Sequence, residues 1–204
     1  MEKLKSNLPN MVGVLTVVCV LCGGILAWLN ALTRPAIDAQ AEKALADGIK
    51  TVLAADNVVV ENTETKVRDV NGKDLEYVIY TTDKGVAIQS VDPNGFGGNL
   101  KVLVGFNEAG DILGYTVLEH AETPGLGAKV QEWFQKDAPG CIVGLNPDKA
   151  NLTVSKDGGE VDAITASTIT SRAFLRAVQQ AYNTFKGDAS ADGNTSASAQ
   201  NSHE

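Results

Sequence analysis

The stretch Asp162-Ala163-Ile164-Thr165-Ala166-Ser167-Thr168-Ile169-Thr170-Ser171 is rich in hydroxyls, carries a single charge, and runs straight into a helical pattern. Beyond it, Ala173, Phe174, Ala177, Val178, Ala181 and Phe185 recur at spacings of three and four, one buried face of an amphipathic helix. Arg172, Arg176, Gln179, Gln180 and Asn183 fall largely on the other face. A Ser/Thr cluster before such a helix supplies N-cap candidates. The exposed N–H groups and the positive end of the helix dipole also favour an anion there, by about 0.3–1 kcal/mol for a surface charge. Two readings follow from the pattern alone: an ordinary capped helix, and a helix start suited to holding a phosphate.

Upstream the signals change to strands. Val58-Val59-Val60 is β-branched, and residues 66–70 and 75–82 flank Asn71-Gly72, a strong two-residue hairpin signal. Asp83-Lys84-Gly85 turns the chain into a strand at 86–91. Leu100, Val102, Val104 and Phe106 alternate on one face of a further strand, and 112–118 returns after the turn at 107–111. This order predicts an antiparallel meander, not a βαβ series. The loop Asp92-Pro93-Asn94-Gly95-Phe96-Gly97-Gly98 has no following helix and is not a dinucleotide fingerprint. It reads as a loop between strands or as a ligand contact. Leu152-Thr153-Val154 reads as one more brief strand.

A second stretch, His120-Ala121-Glu122-Thr123-Pro124-Gly125-Leu126-Gly127, predicts a tight turn with exposed amides. Val130, Trp133 and Phe134 follow at the spacing of a short helix. Turn amides can donate to carbonyls and ring nitrogens of a flat heterocycle, and Leu126 can pack on its face; a purely structural turn satisfies the same pattern.

No charged residue lies between Ser6 and Thr33, and 11–32 is almost wholly apolar. About 20 such residues cross a bilayer. Each of the many Val, Leu and Ile residues favours insertion by roughly 0.3–0.6 kcal/mol, which outweighs Thr16, Gly23, Gly24 and Asn30. A cleaved signal peptide has a shorter apolar region of about 7–15 residues and a small-x-small site, for which Leu29-Asn30-Ala31 is poor. Val18 and Leu21, neither of them small, precede Cys19 and Cys22, so no lipoprotein signal is expected. Lys3 and Lys5 on one side balance Arg34, Lys43 and Lys50 on the other and set no orientation. Beyond the span, Ile37, Ala41, Ala44, Leu45, Ile49, Val52 and Leu53 predict a linking helix, with Pro35 in its first turn. The expected organisation is an N-terminus at 1–10, a transmembrane helix at 11–33, a linking helix at 34–57, a domain at 58–186 and a disordered tail at 187–204.

The 204 residues carry a net charge of −8 with no dense Lys/Arg cluster, which argues against nucleic acid as a partner. His120 and His203 are the only histidines, so no multi-histidine metal site is expected. Cys19 and Cys22 sit inside the span, as small apolar side chains or as ligands shared with partner subunits. Cys141 stands alone beyond it, so no internal disulfide is expected there.

Asp162-x-x-Thr165-Ala166-Ser167-Thr168 resembles the flavinylation motif Asp-x-x-(Ser/Thr)-Gly-Ala-Thr of FMN-binding domains. Ala166 stands where glycine is usual and Ser167 where alanine is usual; a backbone needing φ > 0 at Ala166 would be strained. Glu122-Thr123-Pro124-Gly125-Leu126-Gly127 matches the second signature of that family without departure, in the family's order. The whole arrangement is similar to the G subunits of Rnf ion-pumping electron-transport complexes, with the C subunits of sodium-translocating NADH:quinone oxidoreductases as rival.

The resemblance implies an α+β fold: one N-terminal transmembrane helix, then an FMN-binding domain with an antiparallel meander and flanking helices. It implies FMN joined by a phosphoester bond to Thr168, with Asp162, Thr165, Ser167 and Thr170 around the phosphate and Glu122, Thr123, Gly125, Leu126 and Gly127 bordering the ring. It further implies electron relay within a ferredoxin:NAD oxidoreductase that moves Na⁺ or H⁺, without stand-alone catalysis. Expected partners are the other complex subunits, membrane lipid and a flavin transferase. The expected place is a bacterial inner membrane, with the domain on its periplasmic or outer side. Two readings from other classes remain: an anchored envelope protein without cofactor, and a free-standing flavinylated reductase.

Overall fold

Strands β1 (Val60–Val70), β2 (Lys73–Thr82), β3 (Gly85–Asp92), β4 (Leu100–Phe106) and β5 (Ile112–Glu119) form one antiparallel sheet in chain order. The structure, a computed structural model, describes residues 8–55, 57–70 and 72–187. Each reversal is marked in the sequence. Val70 pairs with Lys73 across the first turn, where Gly72 has φ +77° and its N–H donates to Asp69 Oδ1 at 2.7 Å. Asn71, the other half of that turn signal, lies outside the described residues, as do residues 1–7 and the expected disordered tail beyond Gly187. The meander is as the pattern predicts. Its first strand begins at Val60 and continues without interruption to Val70.

Helix α3 (Thr168–Phe185) covers one face of the sheet. Its buried stripe of Ala173, Phe174, Ala177, Val178 and Ala181 joins Ile88, Val102, Val104 and Phe106 in the main core. A 3₁₀ turn at Gly127–Lys129 leads into α2 (Val130–Trp133), and Phe134 just beyond it stacks on Phe174 with centroids 4.5 Å apart. Each fully buried aromatic of this kind is worth about 1.5–3 kcal/mol. The Tyr115 hydroxyl donates to Val130 O at 2.7 Å and accepts from the Phe134 N–H at 3.2 Å, which pins α2 to β5; burial raises its pKa.

The opposite face meets residues 45–52, the last turns of helix α1 (Leu8–Val52). A single helix covers what patterning divides into a span and a linker; Pro35 lies inside it, losing one backbone bond without ending the helix. Residues 8–44 are exposed throughout and form a unit of their own, long and apolar enough to cross a membrane. In the second unit, Ile49, Val52 and Leu53 bury against Ala87 and Leu103, flanked by Leu45, Leu113 and Leu118. Gly105 makes this approach possible, because a Cβ there would sit 2.4 Å from Val52 O. Strand β4 is therefore buried on both faces, which is why Leu103 and Gly105 are inside along with the alternating set.

The brief strand expected at 152–154 is absent. Only Val154 pairs, in an isolated parallel bridge to Val161, and the chain turns at once through a 3₁₀ segment, Ser155–Asp157. Gly158 there has φ +85°, so the backbone reverses too soon for a ladder to extend.

Candidate functional site

The Glu122 side chain is the centre of the site. It is 6% exposed, and its carboxylate joins three separate segments. Oε2 accepts from the Thr170 hydroxyl at 2.6 Å, and Oε1 accepts from the Gly97 N–H at 3.3 Å. Thr170 Oγ1 also lies 2.9 Å from Ser167 Oγ. Thr170 has one proton and spends it on the carboxylate, so the Ser167 hydroxyl donates to Thr170. The two stretches singled out in the sequence thus meet through a buried side-chain network, with the loop at 93–98 as a third member.

Glycines let these segments touch. A Cβ at Gly127 would stand 2.5 Å from Glu122 Oε2 and 2.8 Å from Thr170 Oγ1. At Gly97 a Cβ would fall on Ala121 O. Within the turn, the Leu126 and Ala128 N–H groups both donate to Thr123 O, at 3.1 and 3.2 Å. The Leu126 amide, one of those the sequence reading offers to a ring, is thus satisfied inside the turn, together with that of Ala128 just beyond it. Gly125, with φ +77°, has open space where a side chain would stand, and Thr123 and Leu126 are exposed. His120 Nδ1 accepts from the Glu122 N–H at 3.2 Å, a structural contact.

Thr168 is the first residue of α3 and is half-buried. The local geometry before it is a turn: the Ser167 N–H donates to Ile164 O at 3.0 Å, and Ala166, in the third position, has φ +61°. That position favours glycine, so the usual glycine of the motif has a physical reason, and Ala166 carries strain of about 1–2 kcal/mol. Ser171 holds the turn from inside: its Oγ accepts from the Ile164 N–H at 2.9 Å and donates to Ser167 O at 3.0 Å. Ser167 occupies the N-cap position but makes no side-chain cap bond, and the first turn of α3 has no acidic residue. An α-helix start leaves its first N–H groups without intrahelical partners, and the carboxylate that meets this turn, Glu122, is already engaged by the Thr170 hydroxyl and the Gly97 N–H. The donor set fits a phosphate.

Asp162 and Thr165 are exposed. The Asp162 carboxylate accepts from Ser155 Oγ at 3.2 Å, while its carbonyl accepts from Trp133 Nε1 at 2.8 Å. Trp133 and Ser155 therefore orient the start of the motif, and neither carries a recognisable sequence signal for that role. One turn beyond Thr168, Arg172 makes a two-point pair with Asp157, both bonds 2.7 Å. The guanidinium holds the Asp157 carboxyl below the usual carboxylate range. Arg176 grips buried Asp92 at 2.9 and 3.0 Å, tying the end of β3 to α3. A cleft of about 510 Å³ opens beside Arg172, Leu175, Arg176 and Gln179, against Leu152 and Val154.

Exposed apolar side chains flank the Glu122 network. Phe96 (67% exposed) adjoins Gly97, Leu126 (43%) adjoins Gly127, and Ile169 (49%) adjoins Thr170. No group of three or more His, Cys, Asp or Glu suited to a metal occurs among the described residues.

Residues 95–183 match the FMN-binding domain family. A protein of Shewanella piezotolerans, named as the G subunit of an ion-translocating oxidoreductase complex, is 35% identical over 190 residues, 87% of this chain and 88% of its own. Its namesake in Shewanella oneidensis is 33% identical over 82% of this chain and 84% of its own. That of Escherichia coli K12 is 35% identical over 78% and 81%. With such likeness along most of both chains, and with the FMN-binding domain match over residues 95–183, the chain belongs to the family of G subunits of ion-translocating oxidoreductase complexes.

Proposed function

We infer that this chain is the electron-relay subunit of a membrane-bound, ion-translocating ferredoxin:NAD oxidoreductase complex of the Rnf type. Its FMN is attached through a phosphoester bond to Thr168. The observation that carries the reading is the helix start: a half-buried threonine at the first residue of α3, an N-terminus without a side-chain cap, no acidic residue in the first turn, and a buried carboxylate that holds Thr170 two residues on. Bound FMN supplies reversible one- and two-electron chemistry.

The chain's own residues hold and orient. Thr168 Oγ1 gains a bond to phosphorus and loses its proton, while the flavin nucleotide donor loses the leaving group on its phosphate; a separate flavin transferase carries out that exchange. Thereafter the oxygen is an ester and takes no part in turnover. The N–H groups at the start of α3 and the exposed Thr165 hydroxyl are the donors to the phosphate, with Asp162 at the head of the motif; Ser167 and Thr170, whose protons go to Thr170 and Glu122, fix the helix start around it. Residues Glu122, Thr123, Gly125, Leu126 and Gly127 border the ring. The apolar part of α1 anchors the chain in a bacterial inner membrane, and the domain faces the periplasmic or outer side, among the other subunits of the complex.

Thr168→Ala tests the tether. The variant is expected to fold and to lack the added FMN mass on the peptide containing residue 168. Full flavin retention through denaturation in that variant would place the tether elsewhere.

A further inference from the structure

We propose that Phe96 is a cofactor-contacting residue, its ring forming with Leu126 an apolar wall against the isoalloxazine of FMN held at Thr168. The proposal rests on the tether reading and adds a residue that neither signature contains. A phenylalanine 67% exposed in a glycine-rich loop is costly to solvate, and a mobile loop could turn it inward. This loop is held open. The Asn94 N–H donates to Asp92 Oδ1 at 2.8 Å, and Asp92 is gripped by Arg176 of α3. The Gly98 N–H donates to Gly95 O at 3.3 Å, and the Gly97 N–H to Glu122 Oε1. A Cβ at Gly95 would fall 2.6 Å from Glu122 Oε1, so the loop has glycine where it leans on the carboxylate. The same carboxylate holds Thr170, two residues beyond Thr168. Phe96 is thus fixed outward by the side chain that fixes the acceptor segment, and Leu126 lies exposed in the turn that begins at that side chain. The match to the FMN-binding domain begins at Gly95 and takes in this loop. A flat apolar ring system at the end of a ribityl arm fits such a wall, whose faces require no hydrogen bonds.

The test uses the full-length chain, flavinylated by a flavin transferase during expression and purified in detergent without partner subunits. In Phe96→Trp an indole against the ring quenches flavin emission by electron transfer, so emission is expected to fall several-fold at unchanged FMN mass. Val67→Trp, on an exposed position of β1, is expected to leave emission unchanged. In Phe96→Ala, quenching by added iodide should become steeper as one ring face opens to solvent. Full FMN mass with parental emission in Phe96→Trp and parental iodide quenching in Phe96→Ala would overturn the assignment. The ring would then lie elsewhere, as in the cleft beside Gln179, leaving Phe96 to a partner subunit. A chain without FMN mass in every variant would overturn the tether reading, and this one with it.

Discussion

The hydroxyl of Thr170 donates a 2.6 Å hydrogen bond to Oε2 of Glu122, across 48 residues of chain and out of contact with water. Hydrogen bonds to ionised acceptors are stronger than neutral ones, and a buried acceptor without a partner is costly. Glu122→Ala takes the acceptor from the Thr170 hydroxyl, which keeps only its Ser167 contact, leaves the Gly97 amide unpaired and opens a small void. A loss of about 2–3 kcal/mol is expected in urea unfolding of the chain. Glu122→Gln keeps an acceptor oxygen and should lose less. Equal stability of the parent and the alanine variant would deny the network its structural weight.

Ala166 offers a gain. Its φ of +61° costs a residue with a Cβ about 1–2 kcal/mol, and glycine's extra freedom in the unfolded chain returns about 0.4–1 kcal/mol of that. Ala166→Gly should therefore stabilise the domain by roughly 0.5–1 kcal/mol, read as a higher melting temperature. A lower melting temperature would mean that the turn at 164–167 is not under strain.

Gly105 tests the far side of the sheet. Gly105→Ala puts a methyl group 2.4 Å from Val52 O, so the end of α1 must lift from β4. Overpacking of this kind costs about 1–3 kcal/mol. Hydrogen exchange should quicken at residues 49–53 first; unchanged protection there would show that α1 does not depend on this contact.

Acid should loosen the segment beside the helix start. The folded-state pKa of Asp157 is lowered, chiefly by the hydrogen bonds from Arg172, so its contribution is complete above the ordinary carboxylate range. It is lost as pH falls through the depressed folded value. Asp157→Asn should lower stability slightly at neutral pH, where the pair is complete, and converge with the parent in acid, so that part of the acid sensitivity disappears. The measurement is melting temperature against pH for both chains; superimposable acid limbs would rule the pair out as a contributor.

Much of this was legible in residue order because the relevant physics is local. Period-two and period-three-to-four patterns marked the meander and α3, and Gly72 and Gly85 marked reversals. Burial of β4 on both faces was not legible, since Leu103 and Gly105 are explained only by the return of residues 45–53 to the sheet. Pro35 suggested a helix start, but a proline removes one backbone bond and a long apolar helix can absorb that loss. At the site, two signatures marked the turn and the helix start. The bond between Glu122 and Thr170 could not be read, because a sequence does not state which distant side chains meet. Trp133 and Ser155 were missed for the same reason: ordinary residues that become positioning groups only once Asp162 is folded against them.

The return of α1 to the sheet decides where the chain can be cut. A water-soluble fragment for spectroscopy is commonly begun just after the hydrophobic anchor or at the first strand. Beginning at Val58 would strip Ile49, Val52 and Leu53 from Ala87 and Leu103 and bare a greasy floor prone to clumping. A fragment that starts before Leu45 keeps that floor covered and should stay dispersed at the concentrations spectroscopy needs.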